Sequence, residues 1–154
     1  MIMLHRTTLA AVTLALLGTA CAKPASASLD DVLEEFGRYE TMNSTNSCEC
    51  FELIAGDYTS EQECLDAGVS IEAEHIECMK NALATVTQDE AEAVALVECF
   101  TGMSQESADC LQTNIGVCSA DTFSDCIQAR GRARDECDLK YSDDDLEAFW
   151  LCRL

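Results

Sequence analysis

A chain of 154 residues with 29 acidic side chains against nine basic ones carries a formal net charge of −20. Between Ser28 and Ala129 there are 22 acids and two cations, Arg38 and Lys80, so the clustered Lys and Arg that nucleic acid or anionic headgroups require are missing. The same acidity would attract a basic protein partner, or serve solubility and salt tolerance alone.

The chain opens with MIMLHRTTLAAVTLALLGTA, where His5 and Arg6 precede an uncharged apolar run from Leu9 to Ala20. That run is too short for a membrane-spanning helix, which needs about 20 residues, and reads as a secretory signal over residues 1–20. Two processing sites compete. Leu17-Gly18-Thr19-Ala20-Cys21 resembles the lipobox of bacterial lipoproteins, in which cleavage precedes a cysteine whose thiol becomes lipidated; Gly18 stands in the usual leucine place. Residues 21–27 would then be lipidation site and tether, and Ala22 after the cysteine implies by that resemblance an outer-membrane destination. The alternative is cleavage after Ala25-Ser26-Ala27, which would release a secreted or periplasmic chain starting at Ser28. The lipoprotein is the favoured expectation, with the membrane touched only through its acyl chains, each buried CH₂ contributing about 0.8 kcal/mol.

Residues 28–154 are enough for one domain, and the only proline, Pro24, lies before them. Start and stop signals predict an all-α fold, an array of about six to eight short helices or helical hairpins. Ser28 with Asp31 is a capping-box pair opening a helix with Leu29, Val32, Leu33, Phe36 and Tyr39 on one face. Cys48 to Ala55 forms a short helical candidate stopped by Gly56. Ser60 with Glu63 opens another, stopped by Gly68, and Ser70 opens the next, carrying Ile71, His75, Cys78, Met79 and Leu83. Thr87 with Glu90 caps a helix running to Gly102, and Ser104 starts a short piece ending near Gly116. Ser119 opens a longer segment that Gly131 interrupts before Cys137, and Ser142 with Asp145 caps the last helix.

Ten cysteines follow the tether: Cys48, Cys50, Cys64, Cys78, Cys99, Cys110, Cys118, Cys126, Cys137 and Cys152. An even number in an exported chain with a thin apolar stock implies a disulfide framework, with Cys21 outside it whether lipidated or discarded. Ten cysteines allow about 945 pairings, nine times the 105 for eight. Symmetry about the turn at Asp57 suggests Cys50–Cys64, and the Tyr141–Ser142 turn suggests Cys137–Cys152. The stretches CECFELIAGDYTSEQEC, ECMKNAL and LVECF, followed by single cysteines, resemble uncharacterised cysteine-rich secreted proteins and lipoproteins of Gram-negative bacteria. That resemblance covers about residues 48–152, rests on spacing, and implies an envelope location without implying an activity.

Chemistry-bearing patterns are few. His75 is the only histidine after the signal, and His75-x-x-Cys78 resembles the secreted phospholipases, whose histidine activates water. Here Ile76 stands where their calcium-holding aspartate follows, and no glycine-rich loop precedes it. Cys48-x-Cys50 could serve as a redox pair or soft-metal clamp, but structural bridging is the expectation. Ser142 to Glu147 is acid-rich yet lacks an EF-hand order, and acids at a helix start need no metal to explain them. Arg130 and Arg134 share one helical face within ARGRARDECDLK and should pair with the chain's own carboxylates. The expectation is a non-catalytic envelope protein, with no cofactor or metal, presenting an acidic helical face to an unknown, possibly basic partner and binding no nucleic acid. A helical carrier of an apolar ligand is the alternative, and a hydrolase using His75 the third.

Overall fold

The computed structural model describes residues 27–54, 58–68 and 70–152; the signal segment and Cys21 lie outside them. Six helices and no strands occur among these residues: α1 (Leu29–Cys48), α2 (Glu61–Ala67), α3 (Ala73–Val86), α4 (Glu90–Gln112), α5 (Ala120–Asp138) and α6 (Asp143–Leu151). A single 3-10 turn, Phe51–Leu53, follows α1. The all-α, disulfide-stapled architecture is the expected one, with three long helices where shorter ones were expected.

Local side-chain chemistry starts these helices. Ser28 Oγ accepts the Asp31 N–H at 3.2 Å while the Asp31 carboxylate accepts the Ser28 N–H at 3.2 Å, and Ser142 and Asp145 repeat the box at α6. Ser60 and Ser119 cap α2 and α5 as expected, each satisfying an amide left unpaired in the first turn. Three boundaries differ. Asp89 rather than Thr87 caps α4, because the Thr87 hydroxyl donates back to Leu83 O. Glu72 rather than Ser70 precedes α3, with His75 Nδ1 accepting the Glu72 N–H at 3.0 Å and the Ser70 hydroxyl donating to the Glu72 carboxylate. The candidate helix Cys48–Ala55 is instead the end of α1 plus the 3-10 turn, since Cys50 leaves helical geometry at φ −114°, ψ 42°.

Gly102 and Gly131 do not break α4 and α5. A glycine in a helix interior costs about 1 kcal/mol relative to alanine. In α4 that is less than the flanking residues contribute by burial, since Phe100, Met103, Ala108 and Leu111 all lie within the protein. Gly116, by contrast, sits at φ +74° and turns the chain out of α4, a conformation that only glycine adopts without penalty.

Cross-contacts give the topology. Asn43 reaches Ser104 O and Asn46 reaches Ala108 O, and Leu29 N–H lies near Glu90, so α1 and α4 run side by side in the same direction. α3 returns antiparallel to α1, with Lys80 paired to Asp30 at one end and Ile71 on Gly37 further along. α5 runs back along α4, and α6 lies against α3. The core is filled by Leu33, Phe36, Met79, Leu83, Leu96, Val97, Phe100 and Phe149, all fully buried. Phe149 stands between Phe36, at 5.0 Å, and Phe100, at 4.8 Å, and Trp150 meets both Phe100 and Phe149 edge-on. Such ring pairs add about 0.5–1.5 kcal/mol beyond their buried area.

The caps make the helix starts pH-sensitive. Asp31 is held below the usual carboxylate range by the Ser28 hydroxyl and N–H, and Glu63 by the Thr59 hydroxyl and N–H. A depressed acid contributes stability above its unfolded pKa, about 4, and loses it as pH falls through the folded value. Lys80 is raised by its bond to Asp30, and Tyr141 chiefly by burial, so their contributions are present below about pH 10 and are lost as pH rises. Protection of the Ser28 and Thr59 amides against exchange, relative to the unfolded chain at the same pH, should therefore fall below about pH 4, before that of the core amides of α4 does. A simultaneous fall everywhere would show that the caps do not fray independently.

Candidate functional site

All ten cysteines from Cys48 onward are joined in five bridges: Cys48–Cys64, Cys50–Cys118, Cys78–Cys152, Cys99–Cys137 and Cys110–Cys126. The pairings expected from turn symmetry, Cys50–Cys64 and Cys137–Cys152, are both replaced. α1 continues to Cys48 and offers that residue to α2, while Cys50 turns toward the end of α4, where Asn114 and Cys118 lie. Cys137 faces α4 because α5 runs back along it, and α6 packs on α3, which carries Cys152 to Cys78. Three bridges gather at the end where α1 and α4 finish, and two cross the half containing the aromatic core. Neither Cys48 nor Cys50 is a free thiol, and among the described residues no three His, Cys, Asp or Glu side chains converge as a metal site would need. No described helix is long and apolar enough to cross a membrane. A framework of five bridges belongs to an oxidising, extracytoplasmic compartment.

Between α1, α4 and α5 lies a buried charge that the sequence reading missed. Glu40 is 2% exposed. Its Oε1 accepts from Arg130 Nη2 at 2.6 Å and from the Ser104 hydroxyl at 2.5 Å. The signal was available: Glu40 follows Phe36 by one helical turn on the apolar face of α1. A carboxylate there needs a cation or strong donors to be tolerated. Arg134 pairs with Asp138 at 3.5 Å and its guanidinium lies over the Trp150 ring at 4.9 Å. Arg130 and Arg134 are thus paired with the chain's own carboxylates, as expected, and Asn43 and Asn46 extend the polar seam between α1 and α4.

His75 is half-buried at the start of α3, where its Nδ1 is engaged by the Glu72 amide, and its near neighbour Cys78 is bridged to Cys152. The histidine serves as a helix-start acceptor. Acids occupy the first turn of every helix: Asp30 and Asp31, Glu61 and Glu63, Glu74, Glu90 and Glu92, Asp121, and Asp143 to Asp145. These acids therefore compensate helix dipoles at the helix starts.

Beside the three-bridge end an open groove of about 520 Å³ runs between the 3-10 turn and the first half of α5. Leu53, Ile54, Phe123 and Ile127 line it, with Ser47, Ala120, Ser124 and Gln128 at its edges. These four apolar side chains are not part of the main core, and Ile127 is 43% exposed. No protein-family model, curated protein or solved structure matches the chain.

Proposed function

We propose that the chain is a non-catalytic envelope lipoprotein, anchored through Cys21 in the outer membrane, whose acidic surface receives a basic protein partner. The disulfide framework supports the extracytoplasmic part of this reading, and the lipobox resemblance of Leu17 to Cys21 carries the anchor. The ten cysteines from Cys48 onward satisfy one another, so the one cysteine outside the framework is the one that ends the signal's apolar run. The spacing resemblance to secreted cysteine-rich proteins and lipoproteins supports the same location. Engagement of His75 in capping, and a core filled by the chain's own rings, favour a binding role over a hydrolase or a carrier.

Expression in a Gram-negative host tests the anchor. Wild-type protein should sediment with outer membranes and incorporate labelled fatty acid, whereas Cys21→Ser should do neither while retaining its five bridges. Wild-type protein recovered free and unlabelled would overturn the anchor and favour a released protein starting at Ser28.

A further inference from the structure

We propose that the Cys78–Cys152 bridge is a redox-sensitive latch: a dithiol opens it before the other four, and its opening releases α6 from the core. The latch depends on the chain's own cysteines and packing, not on the anchor or the partner.

The bridges divide the helices into two groups. Cys48–Cys64 joins α1 to α2, and Cys50–Cys118 ties the turn after α1 to the end of α4. Cys99–Cys137 and Cys110–Cys126 both join α4 to α5, so losing either leaves the other in place. Cys78–Cys152 alone holds the end of α6 to α3, and neither helix carries a further cysteine. Once it opens, α6 stays attached only through the segment leading out of α5 and through its packing.

Access singles out the same bridge. Cys78 is the one exposed cysteine of the ten; Cys99, Cys110 and Cys118 are half-buried and the rest are buried. Thiol–disulfide exchange requires an approach to the attacked sulfur. Charge favours a rival, because Lys140 Nζ lies 3.7 Å from Cys99 Sγ and would draw a thiolate there, whereas exposed Glu74 and Glu77 flank Cys78. The pull of an exposed ammonium is screened by salt, and it opens no path to a sulfur packed against the core. Access therefore outweighs charge.

The exchange balances in two steps. A thiolate of the dithiol attacks Cys78 Sγ, forming a mixed disulfide and expelling Cys152 as a thiolate, which takes a proton from solvent. The second sulfur of the reagent, as thiolate, then displaces Cys78 and closes a disulfide within the reagent. Two electrons pass from the dithiol to the bridge, and Cys78 and Cys152 end as thiols.

Opening changes the core. α6 has nine residues, below the length of about 12 at which a helix begins to persist alone in water. It carries Phe149 between Phe36 and Phe100, and Trp150 edge-on to Phe100. With its C-terminal end unpinned, α6 leaves, melts and uncovers Phe36 and Phe100, both fully buried while it is latched. An apolar surface is then presented only under reducing conditions.

The test uses the mature, oxidised protein and needs no substitution. Brief treatment with dithiothreitol in the absence of denaturant, an acid quench, alkylation and peptide mapping give the order of opening. Cys78 and Cys152 should be the first pair alkylated, about tenfold ahead of any other, because access to the attacked sulfur sets the rate. In that species the single tryptophan, Trp150, should emit at longer wavelength and become open to acrylamide quenching, while α4 and α5 amides keep their protection against exchange. First opening of Cys99–Cys137 or any other bridge overturns the latch, as does simultaneous opening of all five. Alkylation confined to Cys78 and Cys152 with Trp150 unchanged overturns it equally, since α6 is then held without the bridge. Loss of α4 and α5 protection in the same species makes the event global unfolding, and likewise overturns it.

Discussion

Replacing Cys78 and Cys152 together with alanine is expected to cost about 4–5 kcal/mol, more than the loss of either bridge that closes a separation of 16. The bridge spans a sequence separation of 74, against 16 for Cys110–Cys126. The loop-entropy relation gives about 4.5 kcal/mol for the first and about 3 kcal/mol for the second. Context enlarges the difference. α6 has nine residues, too few to persist alone in water, and it carries Phe149 into the centre of the aromatic stack. Without the bridge, α6 can leave α3 and take Phe149 with it. Denaturant titrations of the two double variants, compared at equal protein concentration, should rank Cys78/Cys152 below Cys110/Cys126. The reverse ranking would mean that α6 is held by packing alone.

Arg130→Ala should be nearly as damaging, about 3 kcal/mol. The Glu40 side chain is 1% exposed and its cation approaches to 2.6 Å. Removing one partner of a buried ion pair typically costs about 3–5 kcal/mol because the remaining charge is still desolvated. The lower end is expected because the Arg130 side chain is 22% exposed, so water can enter where the guanidinium was. Replacing both partners with methionine should return stability to within about 1 kcal/mol of wild type, since well-packed apolar residues often substitute for such pairs without loss. A double-mutant cycle in urea separates the cases: strong coupling supports the pair as the organiser of the α1–α4–α5 junction. Additive losses would reduce Arg130 to a packing side chain.

What was legible in the sequence was local. Ser28 with Asp31, Ser60, Ser119, and Ser142 with Asp145 all begin helices where their side-chain spacing says they should, because a cap is decided within four residues. The apolar face of α1 was legible for the same reason, through its 3.6-residue period. What failed needed knowledge of neighbours. Gly102 looked like a stop, yet α4 continues through it because the residues on both sides are buried. Symmetry about a turn assumes that adjacent segments pair, whereas the parallel course of α1 and α4 sends Cys50 to Cys118. Glu40 is one of 29 acids in the sequence, and its significance lies in the face of α1 it occupies and the arginine 90 positions away.

In the proposed reading ten cysteines bridge one another and Cys21 carries the lipid. Intact mass of the protein from a Gram-negative host, alkylated before or after reduction, tests it most directly. A lipoprotein with this framework should give a chain beginning at Cys21 with added acyl mass, taking up no alkyl group before reduction and ten afterwards, two for each bridge. A chain beginning at Ser28, or any thiol alkylated without reduction, would contradict it.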